Sequence, residues 1–332
     1  MTNVGIIGLG FIGRMHLTNF RKGGHAKVVA VSDKIPENLS GKAAGGGNIA
    51  MEGDLSLEGV ATYDDGDGIL ADPNVEAVLI SVPTYLHKEY ILKSVAAKKH
   101  ILCEKPMTLT SEEGREVVKA LEGYDRVFMV AHCIRFWPVY LKAFEYVREG
   151  SYGKVLSGTF YRNSPKPTWT WQGWLVNDAR SGGAIMDLHI HDVDFVSYLL
   201  GKPSGIAAGG IQQEGEGVQQ VTSIYSYDNG AVITLHGGFS GAPTLPFRMQ
   251  FRLDLEGATL EYNSFDGEVL QVHTADGKKF QADILPGDGY RREQDYFFDC
   301  IKRGSKPSIV TAQSSLESIE LVEWERSIVD SA

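Results

Sequence analysis

Short apolar runs alternate with amphipathic stretches through the first part of the chain. Residues 4–8 (VGIIG) are wholly apolar, residues 11–20 carry apolar side chains at helical spacing, and residues 27–33 (KVVAVSD) form a second, valine-rich run. That order predicts a β-α-β unit. The alternation continues with predicted strands at 75–83 (VEAVLISVP), 100–106 (HILCEKP) and 126–132 (RVFMVAH), separated by helical stretches at 86–97 and 111–121. Thr110 or Ser111 can cap the latter helix, and Glu112 and Glu113 suit its first turn. Strands and helices in this order predict a doubly wound parallel sheet. Residues 36–68 are too glycine-rich for a helix and read as a partly irregular loop.

Beyond residue 150 the pattern changes. A strand at 154–162 (KVLSGTFYR) leads into a polar, tryptophan-bearing loop, then a helix at 183–200, then a series of alternating strands. Turns are marked by Asp228-Asn229-Gly230, Glu256-Gly257, Asp266-Gly267 and Asp276-Gly277. Two helical stretches follow, at 290–303 and 311–329, the first stopped by Gly304 with Pro307 just beyond. The reading is an α/β chain: an N-terminal doubly wound domain, residues 1–130, and a C-terminal α+β domain with an open-faced, mainly antiparallel sheet, residues 131–332.

Composition narrows the classes. With 332 residues, 43% of them hydrophobic and 22% charged, the chain can bury two cores. A formal net charge of −10 makes nucleic acid a poor partner. No signal-peptide pattern and no membrane-length apolar stretch is present, so a soluble cytoplasmic protein is expected. Cys103, Cys133 and Cys300 lack C-x-x-C spacing, against both a disulfide framework and a structural metal.

The first candidate chemistry lies between the first strand and helix. Gly8, Gly10 and Gly13, with Phe11 and Ile12 between them, stand at G-x-G-x-x-G spacing. Gly8 permits a tight turn, Gly10 lets the backbone approach a pyrophosphate, and Gly13 lets helix and strand pack closely. Alone the motif reads equally as an ordinary turn. Asp33, about 20 residues on at the end of the second strand, suits a ribose 2′-hydroxyl and favours NAD over NADP. Lys34 beside it would suit an extra phosphate.

Two further strings are more specific: CEKP at 103–106 and SGGAIMDLHIHDVDF at 181–195. Together with GLGFIG, SVPTYLH, RFWP and EGSYGKV, they resemble the glucose-fructose oxidoreductase, inositol dehydrogenase and rhizopine-catabolism (Gfo/Idh/MocA) family. The resemblance implies a Rossmann domain, an open-faced sheet domain, and nicotinamide-dependent oxidation of a sugar, inositol or polyol hydroxyl by a homodimer or homotetramer. Carried across position by position, it implies Lys105, Asp187 and His191 as catalytic residues. It also implies Ser81, Val82, Pro83, Thr84, His87 and Glu104 as cofactor contacts, though His87 suits loop stabilisation equally.

The residue chemistry agrees with those roles. Lys105, at the carboxyl end of a parallel strand, overlooks the crevice where such sheets bind ligands. Asp187 and His191 are four apart on a helix, with Asp194 extending the same face. Histidine is the natural base for a hydroxyl proton, with Lys105 holding the substrate oxygen and Asp187 fixing that oxygen or orienting the base. His189 and His191 point apart on a helix, so no metal is expected. Trp169, Trp171 and Trp174 suit stacking on a sugar face, with ordinary loop packing at least as apt for any one of them, and Arg135 and Tyr290 are weaker substrate candidates. His189, where the resemblance leads one to expect glycine, would narrow or polarise the pocket. Two alternatives stay open: an enzyme that retains and recycles NAD while rearranging or cleaving sugars, and a catalytically silent NAD sensor. The second has no need for a proton-transfer set.

Overall fold

The computed structural model describes residues 1–40 and 55–332. Its contacts divide into two compact units: Met1–His132 with Trp169–Trp171 and Tyr290–Glu317, and Cys133–Thr168 with Gln172–Gly289 and Ser318–Ala332. The chain thus returns to the first unit at Tyr290–Glu317, a segment that its late position had assigned to the second domain.

Six strands form the sheet of the first unit: β1 (Thr2–Ile7), β2 (Ala26–Ser32), β3 (Ala61–Tyr63), β4 (Ala77–Ile80), β5 (His100–Glu104) and β6 (Phe128–Ala131). Their order is β3-β2-β1-β4-β5-β6, and every pairing is parallel. Strands β4 and β6 are buried throughout, which is why they read as unbroken apolar runs. The order reverses between β1 and β4, the switch point outside which such sheets bind ligands. Helices α1 (Phe11–Gly23), α2 (Gly66–Ala71), α3 (His87–Ala96) and α4 (Ser111–Ala120) make the connections.

The expected irregular loop at 36–68 is partly overturned. Residues 41–54 lie outside the described residues, but Ala61–Tyr63 pairs in parallel with β2 as the edge strand, and α2 starts within the remainder. Asp65 caps α2 by accepting from the amides of Asp67 and Gly68. A Cβ at Gly66 would lie 2.4 Å from the Tyr90 ring, and one at Gly68 2.4 Å from the Tyr63 ring. These glycines make room for aromatic side chains rather than for a loop.

The second unit contains α5 (Pro138–Glu149), β7 (Val155–Pro165), α6 (Asp178–Ser181), a π-helical turn (Ile185–His189) running into α7 (Ile190–Leu200), and β8 (Gly205–Gln213) to β10 (Val232–Gly241) through β9 (Gly217–Ser226). Then come β11 (Arg248–Leu255), β12 (Ala258–Asn263), β13 (Gln271–Thr274) and β14 (Lys279–Gln281). The sheet order is β14-β13-β12-β11-β7-β10-β9-β8, antiparallel except for the parallel β7–β10 pair. Tyr140 of α5 and Phe195 of α7 meet at 4.9 Å, and Phe160 and Phe251 bring β7 and β11 into the same aromatic core. Leu156, Ile224 and Val232 remain exposed on β7, β9 and β10. Two helices complete the chain, α8 (Gly289–Arg303) and α9 (Ala312–Asp330). Among the described residues no helix is long and apolar enough to cross a membrane.

Candidate active site

Gly8, Asp33, Ser81 and Lys105 each follow the last residue of a parallel strand, β1, β2, β4 and β5 respectively. All four therefore sit at the carboxyl edge of one sheet. Gly8 has φ +92°, and a Cβ there would lie 2.7 Å from the Ser81 carbonyl oxygen; at Gly13 a Cβ would lie 2.1 Å from the Gly8 carbonyl oxygen. The protein's own packing demands both glycines. Gly10 differs: among the described residues, a Cβ there would meet nothing within 4 Å. Its bare backbone leaves open space at the start of α1, whose N-cap is Gly10 itself, with no side-chain cap and no acidic residue in the first turn. A helix start left in that state favours an anion.

Asp33 braces this loop. One carboxylate oxygen accepts from the Leu9 amide at 2.8 Å and from Asn38 Nδ2 at 3.0 Å, and the other accepts from the Ile35 amide at 2.8 Å. Arg14, buried beneath, donates from Nε to the Leu9 carbonyl at 3.0 Å and from a terminal nitrogen to the Asn38 carbonyl at 3.0 Å. Burial lowers its guanidinium pKa against the pull of Asp33. Lys34 is exposed.

The strand-loop after β4 divides by burial. Ser81 is buried and donates to the Gly8 carbonyl at 2.7 Å, stitching the glycine loop down, and Thr84 is 2% exposed. Val82 and Pro83 remain partly open. His87 is 1% exposed, with Nδ1 2.7 Å from the Pro106 carbonyl and Nε2 2.9 Å from the Val82 carbonyl. Of its two readings, the geometry supports loop stabilisation: the ring ties the β4 loop to the β5 loop. Burial drives its pKa down, against the two carbonyls.

Glu104 closes β5 and Lys105 is the first residue beyond it, and the two differ in burial. Lys105 is half-buried, whereas Glu104 is 7% exposed with Oε1 2.6 Å from His16 Nε2. Burial raises the Glu104 carboxyl, but His16 and Lys105 outweigh it and hold the group below its ordinary range. Tyr290, expected at the substrate, sets its ring edge-on to His16 at 6.4 Å and 85°.

In the second unit one helical segment sorts five chemistry-bearing residues. His189, Asp192 and Asp194 are buried, whereas Asp187 and His191 are half-exposed. His189 Nε2 lies 3.2 Å and 3.0 Å from the two carboxylate oxygens of Glu325, and Ser223 donates to the same group at 2.6 Å. A Cβ at Gly237 would come within 2.8 Å of His189 Nδ1. The expectation that His189 shapes a pocket is thereby corrected: the ring is packed against β10. Asp192 takes Arg162 in a bidentate pair at 3.0 and 2.8 Å. Asp194 takes Arg135 likewise at 2.8 and 2.7 Å and accepts from Ser318 at 2.8 Å. Two further expectations fall: Asp194 does not share the face of Asp187 and His191, and Arg135, 2% exposed, is held in the core, with Tyr198 4.5 Å from its guanidinium. The segment is also not a plain α-helix. Asp187 lies in the π-helical turn and His191 in the first turn of α7, a widened geometry often found at functional sites.

The tryptophans separate as well. Trp174 packs on the cluster of Leu175, Ala184, Leu188 and Phe239. Trp169, 40% exposed, belongs by contacts to the first unit and lies 5.4 Å from Phe11, next to Gly10. His16 was missed by sequence reasoning, although a histidine three residues past Gly13 on an otherwise apolar helix face was a visible signal.

The parallel sheet, glycine loop and uncapped helix define the first unit as a dinucleotide-binding domain. Residues 2–132 match the oxidoreductase family with an NAD-binding Rossmann fold, and residues 140–260 match the GFO/IDH/MocA C-terminal domain. The chain belongs to the Gfo/Idh/MocA family of oxidoreductases. It is 27% identical to the scyllo-inositol 2-dehydrogenase (NAD(+)) of Bacillus subtilis strain 168, across 94% of this chain and 89% of that protein. It is 32% identical to the 2,7-anhydro-N-acetylneuraminate hydratase of Escherichia coli K12 across 61% of this chain, an alignment that spans 50% of the hydratase. A levoglucosan dehydrogenase structure in complex with NADH and levoglucosan superposes with a TM-score of 0.84 at 21% identity, covering 99% of this chain and 97% of that one.

Proposed function

We propose that the protein is an NAD-dependent oxidoreductase that moves a hydride between nicotinamide and a hydroxyl-bearing carbon of a sugar, inositol or related polyol. One observation carries the reading: the open backbone at Gly10, which no atom of the described residues requires, on a loop braced by Asp33 in a chain that keeps Lys105, Asp187 and His191 partly exposed. The first unit's residues fit NAD. Gly8, Gly10 and Gly13 with the start of α1 hold the pyrophosphate, Asp33 the adenosine ribose, and Val82 and Pro83 line the loop beyond; when bound, nicotinamide supplies the hydride-accepting carbon. His191 takes the hydroxyl proton, Lys105 holds the substrate oxygen by charge, and Asp187 orients that oxygen or the imidazole.

The test is a panel of sugars, inositols and sugar acids followed by NADH absorbance. Lys105→Ala and His191→Ala are each expected to lower turnover by about 10²–10⁴-fold while NAD affinity stays near that of the wild type. Full activity in both variants would remove the assignment.

The match to a hydratase favours a second reading, in which NAD is retained and recycled. Product formed without net NADH would select it; one NADH per oxidised substrate selects the dehydrogenase. We place the protein in the cytoplasm as a homodimer or homotetramer, supported by three buried, unbridged cysteines and by exposed Leu156, Ile224 and Val232 on the second sheet. Light scattering that finds only monomer at micromolar concentration would remove the assembly.

A further inference from the structure

We infer that His16 and Gln294 are positioning residues for Lys105, acting through the carboxylate of Glu104. The inference rests on the proposed role of Lys105 at the substrate. Its basis is a chain of contacts inside the first unit. Gln294 Nε2 lies 2.6 Å from His16 Nδ1, His16 Nε2 lies 2.6 Å from Glu104 Oε1, and Glu104 Oε2 accepts from the Lys105 amide at 3.2 Å. His16, Glu104 and Gln294 are 0%, 7% and 1% exposed, so water does not compete for these contacts.

The direction of each bond follows from the donors. The Gln294 amide donates to Nδ1, which leaves the proton on Nε2 and makes His16 the donor to Glu104. The carboxylate, fixed on one oxygen by His16, receives the Lys105 N–H on the other. That bond holds the Lys105 backbone where the chain leaves β5, the point from which the lysine side chain starts. Tyr290, four residues before Gln294 on α8, closes one edge of the imidazole, and Glu293 from the same helix is also fully buried beside the pair. His16, Glu104 and Glu293 are near enough to be considered for a metal ion, but the direct 2.6 Å contact between His16 and Glu104 leaves no room for one between those two groups. Gly13 keeps α1 close to the sheet, which brings His16, one turn later, to the end of β5. One glycine of the cofactor loop thereby serves the lysine as well.

The experiment compares His16→Phe, the milder Gln294→Leu, and His16→Phe combined with Glu104→Gln, each in the full chain at a temperature where circular dichroism finds it folded. Three quantities are read: kcat and KM against pH, NAD affinity by fluorescence titration, and the rate at which an amine-selective reagent labels Lys105, mapped by peptide mass spectrometry without cofactor. His16→Phe is expected to lower kcat about 10–100-fold, with NAD affinity nearly unchanged, and to shift the pH profile. Lys105 labelling should be several-fold faster once its anchor is lost. Gln294→Leu should show the same pattern more weakly, and Glu104→Gln should recover part of the loss, because a neutral amide leaves no buried charge stranded without its donor and still accepts the Lys105 N–H. Should His16→Phe fail to fold, Gln294→Leu carries the test. Unchanged kcat, pH profile and labelling in the folded variants would overturn the inference. A Lys105→Ala control keeps the outcomes apart: if it stays fully active the catalytic reading fails, whereas if it is inactive and the His16 and Gln294 variants are normal, only the positioning role fails.

Discussion

Gly10→Ala separates what the fold needs from what a ligand needs. The methyl group would meet no atom of the described residues within 4 Å, and the backbone there, φ −69° and ψ −164°, is extended and open to alanine. Stability without ligand should therefore stay within about 0.5 kcal/mol of the wild type. Gly13→Ala is the contrast: its Cβ would lie 2.1 Å from the Gly8 carbonyl oxygen and 2.9 Å from Ser81 Oγ, so backbone must move, at a cost of about 1–3 kcal/mol or more. With NAD the ranking changes. At 100 times its dissociation constant, a ligand stabilises the wild type by about 2.7 kcal/mol. If the Gly10 methyl occupies space that a pyrophosphate needs and weakens binding about 100-fold, the same NAD concentration stabilises Gly10→Ala by only about 0.4 kcal/mol. Thermal melts with and without NAD read both numbers, since each kcal/mol moves a midpoint by about 2–4 °C in a unit of this size. A Gly10→Ala protein that melts like the wild type and keeps the full NAD shift would refute the idea that a dinucleotide approaches the backbone at this position.

Asp33→Ser removes the acceptor for the Leu9 and Ile35 amides and for Asn38, so NAD affinity should fall by about 1–3 kcal/mol while NADP is disfavoured less, and a wild type that already prefers NADP on titration would refute the assignment. His87 has a folded pKa below its ordinary 6.5, so its contribution is fully present above that value and is lost as pH falls toward the folded value, where the unfolded chain binds the extra proton. Urea melts at pH 7.5 and 5.5 should show the wild type losing stability, at up to about 1.4 kcal/mol per pH unit from this group, and His87→Gln losing less; equal losses would refute the linkage. Trp169, beside Phe11 at the glycine loop, should be quenched when NADH binds, by energy transfer to the nicotinamide, and Trp169→Phe should remove a large part of that quenching; quenching unchanged in the variant would show that another tryptophan reports the cofactor.

The parallel sheet was legible because β4 and β6 are buried throughout and β1 and β5 nearly so, and burial on both faces writes an unbroken apolar run into the sequence. The edge strand β3 wrote no such run. Its burial pattern is open, and the glycines that follow it are explained by Tyr63 and Tyr90, partners that local composition does not name. The same distinction governs the carboxyl edge of the sheet. Gly8, Gly10 and Gly13 were visible as a motif, but only their surroundings distinguish two glycines required by packing from one that is not.

The helix that carries Asp187 and His191 marks where periodicity stops deciding. Helical spacing alone put Asp187, His191 and Asp194 on one face, and apolar residues could not correct it, because Ile190, Val193, Phe195 and Val196 are all buried alongside polar neighbours. What turns Asp194, Asp192 and His189 inward is a set of partners 59, 30 and 136 residues away: Arg135, Arg162 and Glu325. Each buried charge is tolerated only because its partner arrives with it. The π-helical turn also alters the phase between Asp187 and the residues that follow, so a spacing rule built on 3.6 residues per turn misassigns the third position first. Asp187 and His191 keep partial exposure where the other three are sealed. The signal for a site on this helix is thus the contrast between sealed and open polar residues, a contrast made by the tertiary fold.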